Sequence, residues 1–415
     1  MDKLALLGGT PVRTQPIAPW PQFDQTEETN LLKALNARGW GGYPEPMPMT
    51  GEFAAKFAVF QDAKYGILCS NGSVSLELAL LAAGVGYGDE VIVTPYTWIA
   101  TAAAPIHINA VPVFADISPK DYCIDPDAIE AAITPRTKAI IPVHLGASIA
   151  DMDRIMEIAK KNGLTVIEDC AHAHGAKWRG QGVGSIGDFG SFSFQTSKPM
   201  TCGEGGIVIT NSEDAAKRVH SLVNCGRKEG SYEKFDGDIF GFNYRVTEFQ
   251  AAILLAQLQK IGKWLEIRQA NLKKLDEKLK SANAGIRVIP ADSRVTRRGI
   301  YEAVLKYDAQ AFNGLKREVF LKALAAEGIE MEGDFYVPVY QSELFNVRTS
   351  QWPALKERYG EAIGPGSANC PVAERAAYKE SLWLHHSYLM GSEKDVDTIV
   401  EAVLKVQRHS NDLIR

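Results

Sequence analysis

The chain has no long apolar run, no paired-cysteine spacing, no surplus of one charge and no internal repeat. Each absence removes a class of protein. No run approaches the roughly 18 apolar residues that would nominate a membrane-spanning helix. The apolar part of Met1-Asp-Lys-Leu-Ala-Leu-Leu-Gly-Gly9 is too short for a secretory signal. The six cysteines are scattered without a Cys-x-x-Cys pair, and most lie in apolar runs. They read as reduced packing residues, which predicts a cytoplasmic protein rather than a disulfide framework. A net charge of −5 gives no electrostatic case for nucleic acid or an anionic membrane as partner. Gly203-Glu-Gly-Gly206 fits neither Gly-x-Gly-x-x-Gly nor the P-loop pattern, so it is a weak basis for a nucleotide-binding enzyme.

What is present is an ordinary globular composition, 46% hydrophobic and 23% charged, in 415 residues. That length exceeds one typical core and predicts two domains. Residues 1–25 hold several prolines and little periodicity, and are expected to form an arm over the surface. Residues 26–265 are expected to form a large domain and 266–415 a smaller α+β domain. Short apolar runs recur at Tyr65–Cys69, Glu90–Thr94, Ala110–Phe114, Ala139–Val143 and Thr165–Asp169, with helical patterns at Ser75–Ala83 and Asp151–Lys160. Near-continuous apolar strands alternating with helices predict an α/β fold with a mainly parallel sheet covered on both faces. Ligands in such sheets bind beyond the carboxyl ends of the strands. A long helical stretch, 247–282, is expected to bridge to the second domain, where a strand at 300–306 and helices near 316–328 and 395–407 follow.

Four stretches carry chemistry. In Ser191-Phe-Ser-Phe-Gln-Thr-Ser-Lys198-Pro-Met-Thr-Cys-Gly-Glu-Gly-Gly206 a lysine stands between two apolar runs. A lysine beside a packed core loses basicity by desolvation and becomes a nucleophilic amine able to form a Schiff base; the bland alternative is an exposed turn lysine. In Cys69-Ser-Asn-Gly-Ser-Val-Ser-Leu76 a strand meets a helix start through a Ser/Asn/Gly turn, which makes either an anion site or a simple cap at Ser73. In Glu168-Asp-Cys-Ala-His-Ala-His-Gly175, Asp169 closes an apolar strand, and an acid there needs a cationic partner such as a protonated pyridine nitrogen. His172 and His174 are a weak metal pair with no third ligand to complete a site. Trp98, after the 90–94 strand, can stack on a flat ring or simply pack in the core. In Gly241-Phe-Asn-Tyr-Arg-Val-Thr-Glu248, Thr247 or Asn243 can cap the long helix, and Arg245 can bind an acid or phosphate or make a surface salt bridge.

Taken together, Glu-Asp-x-Ala-His-Ala-x-Gly, Ser-Phe-Ser-Phe-Gln-x-x-Lys and Gly-Glu-Gly-Gly, in this order, resemble the DegT/StrS-type sugar and cyclitol aminotransferases. These are fold type I enzymes that use pyridoxal 5'-phosphate (PLP) and pass through pyridoxamine phosphate. The resemblance covers about Trp20 to His386. It implies a seven-stranded sheet in the large domain and a homodimer with shared active sites. It implies that Lys198 holds PLP and shuttles the proton, that Asp169 pairs with the pyridinium, that His172 contacts the ring hydroxyl and that Trp98 stacks on the ring. Ser73, the backbone of Val74, and Ser193 would hold the phosphate, with Asn243 reaching in from the partner subunit. No metal is implied.

The finer likeness, through Val143–Gly146, Ala150–Asp153, Gly333–Tyr340 and Trp383–His386, is to L-glutamine:scyllo-inosose and 2-deoxy-scyllo-inosose aminotransferases, with 3-amino-5-hydroxybenzoate synthases sharing several features. It implies an L-glutamine or L-glutamate donor and a keto cyclitol acceptor. Tyr336, Tyr340, His385 and His386 are candidates to read a polyhydroxylated ring, and Trp40 and Tyr43 to close the pocket. The alternatives are a nucleotide-keto-sugar aminotransferase, a synthase of the hydroxybenzoate type and, from another class, a non-catalytic sugar sensor on the same fold. Family members that work as dehydratases commonly replace the lysine with histidine, and Lys198 argues against that here.

Overall fold

A computed structural model describes residues 3–41, 46–229, 231–345, 348–361, 363 and 368–414. Its centre is a seven-stranded sheet. In chain order the strands are β1 (Tyr65–Cys69), β2 (Glu90–Val93), β3 (Val111–Phe114), β4 (Thr137–Ile141), β5 (Thr165–Asp169), β6 (Phe189–Ser193) and β7 (Gly206–Thr210). In space they run β1-β7-β6-β5-β4-β2-β3. Strands β3, β2, β4, β5 and β6 are mutually parallel, whereas β7 is antiparallel to both β6 and β1. That exception has a local cause: β6 and β7 are neighbours joined by twelve residues that hold no helix, so the chain doubles back instead of crossing over. Lys198 rides on that turn.

Helices cover both faces, as runs such as Val91-Ile-Val93 and Ile140-Ile141, buried throughout, require. They are α1 (Gln25–Ala37), α2 (Pro48–Phe60), α3 (Gly72–Ala82), α4 (Ala100–His107), α5 (Pro126–Ala132), α6 (Met152–Asn162) and α7 (Glu213–Val223). Capping follows the sequence closely at α6, where the Asp151 side chain accepts from the Arg154 N–H and Gly163 stops the helix at φ 65°.

The long helix α8 (Glu248–Ser281) opens on a capping box of Thr247 and Gln250. Its first half gives Leu254, Ile261 and Leu265 to the core under the large sheet, and its second half gives Leu272, Leu275 and Leu279 to another core. That second core is built on an antiparallel sheet of β8 (Ile286–Val288), β9 (Glu302–Tyr307) and β10 (Ser381–His385), with β9 in the middle. Helices α9 (Arg317–Ala326) and α10 (Glu393–Arg408) pack on it. A small three-stranded sheet at 177–178, 181–182 and 295–297 ties the two halves.

The first 25 residues are more than a surface arm. Leu4 is wholly buried in the second core, and Trp20 stands edge-on to Trp264 and His386, with ring centroids 5.3 and 4.5 Å away. The anchor is Glu327, a buried carboxylate that accepts from the Ala5 N–H (2.8 Å), the Val12 N–H (3.1 Å) and the buried Lys405 ammonium (2.9 Å). Breaking a buried pair strands a charge. Glu327→Ala should therefore cost about 3–5 kcal/mol in denaturant unfolding, and Glu327→Leu combined with Lys405→Met should recover most of it.

Candidate active site

A cavity of about 820 Å³ opens beyond the carboxyl ends of β2, β5 and β6. One wall is the start of α3, the segment Thr97–Ala104 and the turn after β6; the opposite wall is Tyr301, Glu332, Phe335 and Tyr336 from the second half. Gly146 lets the two halves close. At its φ of 63°, a Cβ there would lie 2.5 Å from the Val304 side chain and 3.0 Å from the Glu302 carbonyl.

Lys198 and Asp169 both line this cavity. The Asp169 carboxylate accepts from the Thr101 hydroxyl at 2.8 Å and from the Ala171 N–H at 3.2 Å. Burial pushes its pKa up despite these donors and the nearby Lys198. Burial likewise brings the Lys198 amine down to about 8, with Asp169 and Glu302 acting the other way. Both groups thus shift toward their neutral forms, so desolvation outweighs their mutual attraction. The Lys198 Nζ lies 3.9 Å from the centre of the Tyr301 ring, which steers it over the cavity.

His172 forms the floor. Its Nδ1 accepts the Gly146 N–H at 3.1 Å, which leaves the proton of the neutral ring on Nε2, 3.2 Å from the Tyr336 hydroxyl. Burial, with Lys198 nearby, holds its pKa well below the usual histidine value, so it stays uncharged. His174, two residues on, points the other way: its ring sits among Phe57, Phe192 and Phe194, and its Nε2 donates to the Ser193 carbonyl at 2.9 Å. The two histidines therefore do not form a pair.

The α3 start is a donor-rich corner. Asn71, not Ser73, is the cap: its side chain accepts the Val74 N–H at 2.9 Å. The Val74 amide is thus engaged by the cap, and Gly72 and Ser73 ahead of it line the cavity. Ser193, at the end of β6, comes so close that a Cβ on Gly72 would lie 2.6 Å from its own Cβ. Glycine is required at 72 by that contact, and the contact brings the serine to the helix terminus, an arrangement suited to a phosphate.

Trp98 lines the same cavity with 58% of its surface exposed, as a face awaiting a flat partner would be. Other expected residues stand elsewhere. Tyr340 is buried, donates to Glu374 at 2.9 Å and packs on Phe114. His386 is buried with Nε2 on the Ser197 carbonyl at 3.1 Å, so it props the lysine turn instead of facing substrate. His385 caps the following turn through Ser387. None of these three lines the cavity, and each has a polar atom engaged in a structural contact. Trp40 packs on Phe249 and donates to the Leu35 carbonyl, outside this chain's own cavity; Tyr43 lies outside the described residues. Asn243 is likewise outside it, on an exposed segment, and Arg245 donates to Asn224 at 2.8 Å, bracing that segment instead of binding an anion or making a salt bridge.

Two contributors were not legible beforehand. Thr101 acts through Asp169, and Tyr301 through Lys198; neither belongs to a motif, although Tyr301 lies in the expected 300–306 strand. Among the described residues His144, Glu168 and Cys170 have ligand-like proximity. Their polar atoms are used internally: Glu168 accepts from the Ile186 and Gly187 amides and meets His144 Nε2 at 3.0 Å, while His144 Nδ1 accepts the Ala150 N–H. This knot fixes β5 on the side opposite Asp169.

The DegT/DnrJ/EryC1/StrS aminotransferase family model matches residues 22–404. The chain belongs to this family. A Streptoalloteichus tenebrarius protein provisionally named L-glutamine:3-amino-2,3-dideoxy-scyllo-inosose aminotransferase is 49% identical, over 99% of both chains. An L-glutamine:2-deoxy-scyllo-inosose aminotransferase from the same organism is 38% identical, again over 99% of both. The crystal structure of 3-amino-5-hydroxybenzoic acid synthase superposes with a TM-score of 0.84 at 30% identity, covering 95% of this chain and all of that one. The fold is that of these aminotransferases, and the chain is a transaminase.

A depressed lysine pKa has a direct test. In cofactor-free protein, cyanoborohydride trapping of a small aldehyde on Lys198 should rise with pH and level off above about 8. Asp169→Asn should move the midpoint lower, because the carboxylate favours the ammonium. Stability should also rise with pH between about 8 and 10.5, where the unfolded lysine keeps a proton the folded one has released. Mass spectrometry of the Lys198 peptide gives the midpoint; one near 10.5 would contradict the desolvation argument.

Proposed function

We propose that the chain uses PLP to transfer the amino group of L-glutamine to a keto cyclitol of the scyllo-inosose type. The observation that carries this reading is that Lys198 and Asp169 share one cavity and act electrostatically on each other. A planar cofactor with an aldehyde at one end and a basic ring nitrogen at the other suits that pair. When bound, PLP supplies the electron sink that makes the carbon beside the donor nitrogen acidic, and it carries the nitrogen between the two substrates.

The chain's residues have separable tasks. Lys198 tethers the cofactor and then moves a proton at the substrate carbon, which a lysine titrating near 8 does well at neutral pH. Asp169, held by Thr101, keeps the ring nitrogen protonated. Trp98 would pack on the ring, His172 and Tyr336 would meet its hydroxyl, and Ser73, the α3 amides and Ser193 would hold the phosphate. The acceptor is a cyclitol ketone because the relatives at 38% and 49% identity over full length carry names of that class. The higher identity favours a ketone that already bears an amine.

The working unit is a homodimer. Residues 232–242 expose Tyr232, Phe235, Phe240 (85%) and Phe242, a surface that an isolated subunit would leave in water. Asn243 follows on that segment and lies outside its own cavity, which is compatible with a role at the phosphate corner of a second copy.

Purified protein supplied with PLP should show a visible absorption band that borohydride abolishes and Lys198→Ala lacks. It should aminate scyllo-inosose-type ketones with glutamine, and transfer only to nucleotide-linked keto sugars would overturn the acceptor assignment. Shared sites make a second prediction. Lys198→Ala and Asn243→Ala subunits, each impaired alone, should regain up to about half of wild-type activity when co-assembled, since one intact site per mixed dimer re-forms. Sedimentation as a monomer would refute the dimer.

A further inference from the structure

Glu302 is a buried carboxylate without a donor. It is 3% exposed, and no described residue gives it a hydrogen bond. Strand pairing sets its direction. On β9 and β10, Glu302 faces His385 and Val304 faces Trp383, and Trp383 pairs on its other side with Glu332. Side chains alternate along strands, so Glu302, Val304, Trp383 and Glu332 share one face of the second sheet. Val304 and Trp383 belong to the core under the large sheet, so this face looks toward the cavity. Glu332 lines the cavity, and Glu302 lies close enough to Glu332 and Lys198 for both charges to act on it.

Burial, with the Glu332 charge beside it, pushes the Glu302 carboxyl well above the usual carboxylate range, so its neutral form is favoured until a cation or donors come beside it. Asp169 already answers to the cofactor ring. Lys198 has to be neutral to take up a proton, so it is not a permanent counterion for Glu302. Glu332 stands on the cavity wall opposite the phosphate corner, and Glu302 lies just outside the lining, within reach of the Glu332 and Lys198 charges. A hydroxyl offers them one proton and no charge. An ammonium offers three donors and the missing positive charge.

We propose that Glu302, with Glu332 at the mouth, is a subsite for the ammonium group of a keto cyclitol that already carries one amine. The subsite rests on the cyclitol reading above and adds the residues that separate an amino ketone from its hydroxy counterpart. Neither acid touches the bond that changes; both act on where the ring sits.

The test uses the PLP-loaded enzyme with L-glutamine and two acceptors, 3-amino-2,3-dideoxy-scyllo-inosose and 2-deoxy-scyllo-inosose. The ratio of their kcat/KM values is the readout. The wild type should favour the amino ketone. Glu302→Gln, which keeps the shape and removes the charge, should lower the ratio by about 30-fold or more, as loss of a buried charge pair does. Glu332→Gln, at an exposed position that does not threaten folding, should lower it less because water screens that carboxylate. A ratio unchanged in both variants, with the two acceptors slowed in parallel, would assign Glu302 to Lys198 and overturn the subsite. Wild-type turnover of both ketones at equal efficiency would also overturn it. Transfer to neither ketone would instead remove the cyclitol reading, and the subsite with it.

Discussion

Everything in the cavity depends on one constraint: an amine and a carboxylate are held where water cannot solvate them fully. Had desolvation been weaker than their attraction, Lys198 and Asp169 would form an ordinary ion pair, and the lysine would stay protonated and inert. Burial reverses that outcome and leaves the amine near 8. The same burial makes the carboxylate seek a cation, which a protonated pyridine would supply under the proposed reading. The reactivity of one group and the affinity of the other thus have a single physical origin.

The outer structure serves to keep that place dry and its parts aligned. Gly146 admits the second sheet within contact distance of the β4 loop, and its N–H fixes the His172 tautomer. His386, pinned by Trp20 at its edge, holds the Ser197 carbonyl one residue before the reactive lysine. Arg268, buried between Trp20 and Trp264 with its guanidinium brought to about 9 by desolvation, adds to the burial that keeps His385 and His386 neutral. The N-terminal segment is therefore structural support for the lysine turn, tied at its far end by Glu327 and Lys405.

Much of this was legible in the residues because it is local. Strand β5 spans the expected residues, and the Lys198 turn, the Asp169 strand end and the Ser73 corner are contiguous motifs. Less legible was whatever depends on what a side chain meets across the fold. Asn71 takes the cap at α3 because the helix begins at Gly72, one residue ahead of Ser73. Tyr340, His385 and His386 have the chemistry of substrate ligands, but Glu374, Ser387 and Ser197 claim their polar atoms first. Thr101 and Tyr301 carry no motif, and only the meeting of distant segments gives them a task.

That division bears on how substrates are told apart within the family. A backbone that superposes at a TM-score of 0.84 on a hydroxybenzoate synthase of 30% identity cannot itself encode the acceptor. In the proposed reading the strand ends, α3 and the lysine turn serve the cofactor, and they are needed whatever ketone is aminated. The freedom lies in the other wall, where Tyr301, Glu332, Phe335 and Tyr336 line the cavity from the second half. Side chains there can change sign, size or hydrogen-bonding capacity without moving Lys198 or Asp169.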